Sequence, residues 1–158
     1  MKLASGICPV QALLDHGVNV ALGTDGAASN NDLDMLGEAR SAALLSKVST
    51  LDATSISAAD ALSMATINGA RLLGLEDDIG SLEPGKSADI TAVDFGDINF
   101  APLYNPLSQL IYVASGQNIS HTWIAGECLY QDGDYTRLDI DDLSRRVSGW
   151  QEKIQGDV

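Results

Sequence analysis

Val18-Asn19-Val20-Ala21-Leu22-Gly23-Thr24-Asp25-Gly26 decides how this chain is read. The first five residues are apolar or β-branched except Asn19, and the run stops at Gly23. Such a run predicts a strand buried on both faces, as in a parallel sheet covered by helices. The flanks agree. Upstream, Pro9 to His16 predicts a short helix: Pro9 suits a first turn, Val10, Leu13 and Leu14 share a face, and Gly17 stops it. Downstream, the polar stretch Thr24 to Asn31 leads into a predicted helix from Asp32 to Lys47. Asn31 can cap it, Asp32 and Asp34 suit its positive end, and Lys47 suits its negative end. Helix, strand, polar loop and helix in succession are the grammar of an α/β protein.

Further along, Ser57-Ala58-Ala59-Asp60 resembles a capping box with Asp in place of Glu. Ala58, Leu62, Ala65, Gly69 and Leu72 follow at spacings of 4, 3, 4 and 3, which predicts one helix ending at Gly74. After Gly80 the pattern changes to strands: Ala88–Val93, Ile119–Ile124 and Glu127–Gln131, with turns at Ala125-Gly126 and Asp132-Gly133. Between them, Pro102 and Pro106 fragment the start of 101–116, and Leu107, Leu110, Ile111 and Ala114 suggest a short helix. The tail is helical, with Ile140, Leu143, Val147, Trp150 and Ile154 spaced 3, 4, 3 and 4. That stripe is expected to pack on the protein's own body.

Composition bounds the function. At 158 residues and 16.6 kDa, the chain is too short for a complete eight-stranded α/β barrel, which needs roughly 250 residues. An apolar content of 45% and a mean hydropathy of +0.04 are globular values. The net charge of −13 leaves no basic stripe for phosphates, so neither nucleic acid nor an anionic membrane surface is an expected partner. No apolar run is long enough to span a bilayer, and Gly6, Pro9 and Gln11 interrupt any signal-peptide core. Cys8 and Cys128 are far apart and are expected to be buried thiols in a reducing, cytoplasmic setting.

Asp25 is the best candidate for chemistry. It sits just beyond a buried strand, where α/β folds place their sites, and a carboxylate there can ligate a metal or move a proton. The plainer alternative is a loop aspartate capping the next turn. His16 and His121 have no metal-binding spacing and are expected to be structural or surface residues. Gly80-Ser81-Leu82-Glu83-Pro84-Gly85-Lys86-Ser87 fits the phosphate-loop pattern, but it follows a helix and opens a strand. A phosphate loop follows a strand and opens a helix, so no nucleotide site is expected.

Three stretches carry a family resemblance: Leu3-Ala4-Ser5-Gly6 with Pro9; Gly23-Thr24-Asp25-Gly26 with Ala28-Ser29-Asn30-Asn31; and Gly80 to Ile90. Together they resemble the C-terminal third of the amidohydrolase superfamily, in its chlorohydrolase and adenosine-type deaminase branch. The resemblance implies the end of a metal-dependent (β/α)8 barrel over residues 1–79. It implies part of a small β-sandwich over 80–137 and a separate helix over 138–158. It implies a divalent metal, zinc first with iron or manganese as alternatives, and metal-dependent deamination of a nucleoside such as 5-methylthioadenosine or S-adenosylhomocysteine. Asp25 would be both a metal ligand and the acceptor of the attacking water's proton. The family's H-x-H pair, two further histidines and acid–base glutamate have no counterpart here. The expectation is therefore a fragment, inactive alone, of a homo-oligomeric enzyme. A guanine deaminase, a triazine hydrolase and a non-catalytic binding domain are the alternatives.

Overall fold

The computed structural model describes residues 2–156, so Met1, Asp157 and Val158 at the ends of the first and last expected segments lie outside it. The first helix, α1 (Val10–Asp15), follows Pro9 as expected. The second, α2 (Met35–Thr50), begins later than expected because Asp34, not Asn31, caps it. Asp34 Oδ1 accepts from Leu36 N at 2.9 Å, and Oδ2 accepts from the distant Gly116 N at 3.1 Å. Ala39, Ala43 and Ser46 form its buried face. Lys47 near its end donates to the carbonyls of Ser55 and Ile56, closing the loop that follows.

The capping box forms: Asp60 N donates to Ser57 Oγ at 3.2 Å and Ser57 N donates to Asp60 Oδ2 at 2.9 Å. The single helix expected beyond it is two, α3 (Ala58–Met64) and α4 (Ile67–Leu73). The break falls at Thr66, whose φ of −134° and ψ of −99° are not helical. The cause is tertiary. The Met64 carbonyl accepts from Leu22 N at 2.9 Å, and the Asn68 side chain donates to the Val20 carbonyl at 3.0 Å. Gly74 ends α4 in the left-handed conformation, as expected.

Those contacts also correct the strand expected at 18–22. Among the described residues this segment joins no β-ladder. A strand is defined by pairing with at least one neighbouring strand, and the described chain sets helix ends beside this segment instead. Val20 and Leu22 still pack inward, against the core of Ala39, Ala43, Ile56, Ala61, Met64 and Ile111.

The second half forms one antiparallel sheet in the order β1 (Ile90–Val93), β2 (Ile119–Ile124), β3 (Glu127–Gln131), β4 (Asp134–Tyr135). Trp123 lies opposite Ile90 on one side and Cys128 on the other. Ala125 and Gly126, with φ of +50° and +82°, make the tight β2–β3 turn. The ambiguous stretch before β2 contains α5 (Pro106–Tyr112), opened by Pro106 and capped by Asn105. Arg40 of α2 donates to the carbonyls of Ile111, at 3.0 Å, and Ala114, tying α5 to the first half.

The tail forms α6 (Ile140–Gly156), but none of its residues is buried, which overturns the expectation that its stripe packs on the body. Trp150 remains 62% exposed. The expectation of two buried thiols also fails: Cys8 is exposed on a segment outside the core, and Cys128 is half-buried in the sheet. No helix among the described residues is long and apolar enough to cross a membrane.

Exposed apolar side chains are spread over α2 (Leu44, Val48), α4 (Leu72, Leu73) and α6 (Val147, Trp150). With the unpaired 18–24 segment they favour association. The 158-residue chain alone is therefore expected to elute above its monomer mass and to bind a hydrophobic dye despite its charge of −13. A monodisperse monomer at high concentration, with no dye response, would contradict this.

Candidate functional site

Asp25 lies at the end of the segment held by Met64 and Asn68, and it is exposed. Its φ of +61° is left-handed, a conformation that aspartate tolerates better than most residues. The chain then turns sharply, with Ser29 N and Asn30 N both donating to the Gly26 carbonyl at 3.0 Å. That turn brings Ser29 Oγ to 2.8 Å from Asp25 Oδ2. Oδ1 has no hydrogen-bond partner among the described residues.

The loop is tied to the helix after it. Asn30 Nδ2 donates to Glu38 Oε1 at 2.7 Å, and Asn30 Oδ1 accepts from Leu33 N at 3.1 Å and Asp32 N at 3.3 Å. Lys2 Nζ donates to Asn31 Oδ1 at 2.6 Å, joining the N-terminal segment to the same loop. Sequence reasoning singled out Asp25 but gave Ser29, Asn30 and Glu38 no role. No spacing in the sequence marks the Ser29 contact, which depends on the turn at Gly26.

The other candidates are committed elsewhere. His16 Nδ1 lies 2.7 Å from the Ala12 carbonyl at the end of α1. His121 stacks on Trp123 with ring centres 5.1 Å apart, and its Nδ1 lies 3.2 Å from Ser120 Oγ. No three His, Cys, Asp or Glu gather as a metal site among the described residues. A catalytic zinc generally takes three protein ligands and an open position. By itself this chain therefore does not fit a catalytic metal; it offers one carboxylate with one free oxygen. A groove of about 540 Å³ lies on the sheet beside Ile119, Leu129 and Tyr135, and Asp25 does not line it.

The phosphate-loop mimic is a connector. Lys86, whose side chain is 12% exposed, donates to the Glu76 carbonyl and to Ser81 Oγ at 2.7 Å, and lies 3.4 Å from Glu83. The Ser81 hydroxyl, then the Lys86 ammonium, hold the Glu83 carboxyl below the usual carboxylate range. A Cβ on Gly80 would lie 2.7 Å from Ala70 Cβ, so this loop is packed against α4. With its lysine so used, the protein is expected to show no saturable ATP binding. Binding that disappears on Lys86→Ala would overturn that.

Residues 1–129 match the Amidohydrolase family, and the chain belongs to that family. It is 52% identical over 154 residues to the 5-methylthioadenosine/S-adenosylhomocysteine deaminase of Teredinibacter turnerae, covering 98% of this chain and 35% of that protein. Against the enzyme of the same name from Saccharophagus degradans it is 44% identical over 155 residues, again 98% and 35%. Its fold superposes on a zinc-bound adenosine deaminase from Xanthomonas campestris with a TM-score of 0.95 and 46% identity, covering 98% of this chain and 35% of that one. A zinc complex of the atrazine chlorohydrolase from Arthrobacter aurescens matches with a TM-score of 0.80 and 29% identity, at 91% and 32% coverage. The chain thus spans about a third of the length of the relatives it matches. Its fold is an α/β portion of the amidohydrolase barrel enzymes.

Proposed function

We propose that this chain is the C-terminal third of a metal-dependent deaminase acting on adenosine-type nucleosides, 5-methylthioadenosine and S-adenosylhomocysteine foremost. The observation that carries the reading is Asp25: a carboxylate at the end of the 18–25 segment, with Oδ2 held and Oδ1 free. The 52% identity to a deaminase of that name supports this substrate class over a triazine, where the likeness is 29%.

When bound, a divalent cation such as zinc would lower the pKa of its water toward neutrality. Asp25 would be one ligand of such a cation and the acceptor of the proton released as water replaces the amino group, a role for which its exposed carboxylate is available. The remaining ligands come from polypeptide beyond this chain. In the same reading, residues 1–79 close a barrel, 80–137 contribute to a small β-sandwich, and 138–158 form a separate helix. The enzyme is cytoplasmic and a homo-oligomer, the exposed apolar side chains of α2 supporting association.

The test is ammonia release from 5-methylthioadenosine, S-adenosylhomocysteine and guanine, and chloride release from atrazine, each with added zinc or manganese. The polypeptide extended to the relatives' full length should turn over the first two, and the 158-residue chain none. Turnover by the short chain, or by the extended one of guanine or atrazine alone, would overturn the proposal.

A further inference from the structure

We draw no further inference here: the strongest candidate, the exposed apolar stripe of α6 together with the sheet groove that Leu138 lines beside it, belongs to a chain spanning about a third of its relatives' length, and nothing in the structure shows what covers it.

Discussion

On the proposed assignment of Asp25 as proton acceptor, Asp25→Asn in the full-length protein is expected to lower kcat for deamination by roughly 10²–10⁴-fold, the usual cost of removing a general base. The substitution is informative because so little else changes. Asparagine tolerates the left-handed backbone at φ +61° about as well as aspartate. Its amide oxygen can still accept the bond now made from Ser29 Oγ to Oδ2. What disappears is the negative charge and the capacity to take a proton at the free oxygen. A neutral amide is also a poorer ligand for a hard or borderline cation, so weaker metal retention would add to the loss. The measurements are ammonia release under saturating substrate and zinc content after dialysis. Undiminished turnover would remove Asp25 from the reaction centre.

Ile111→Ala is expected to destabilise the fold by about 2–5 kcal/mol, the range for removing a large aliphatic side chain from a core. Ile111 is 0% exposed and belongs to the core cluster of Ala39, Ala43, Ile56, Ala61 and Met64. Half of that cluster is alanine, which cannot extend to fill the vacated space, so the upper part of the range is expected. The Ile111 carbonyl is also held by Arg40 Nε at 3.0 Å, which limits how far α5 can move inward. Urea unfolding of the wild-type and variant proteins gives the difference. A loss below about 1 kcal/mol would show that the site collapses without a cavity.

Much of this fold was legible in the sequence where local chemistry decides it. The Ser57–Asp60 capping box, the stop at Gly74 and the Ala125-Gly126 turn all follow from rules that act within a few residues. Illegible features depend on distant partners. Asn31 and Asp34 are both good caps on paper. Asp34 caps α2 and bonds Gly116 far along the chain, while Asn31 is bonded to Lys2. The apolar period of 58–72 runs straight through Thr66 without marking the break, because the break serves Val20 and Leu22. The stripe of α6 showed that a covering surface is wanted, not which one. At the site, Asp25 stood out by its position after an apolar run, whereas the bond from Ser29 depends on a turn geometry that no spacing rule encodes.

The interrupted helix works as a ruler. Ordinarily a strand is kept in step by the ladder on either side, and sliding by one residue moves each side chain about 3.3 Å and reverses its face. Here three bonds do the measuring: Asn19 Nδ2 to the Asn68 carbonyl at 2.9 Å, Asn68 Nδ2 to the Val20 carbonyl at 3.0 Å, and Leu22 N to the Met64 carbonyl at 2.9 Å. Had residues 57–74 formed one unbroken rod, the Met64 carbonyl would have bonded to the Asn68 amide and the graduation would be gone. The place of the Asp25 carboxylate along the chain's path is thus set by where a neighbouring helix fails to continue.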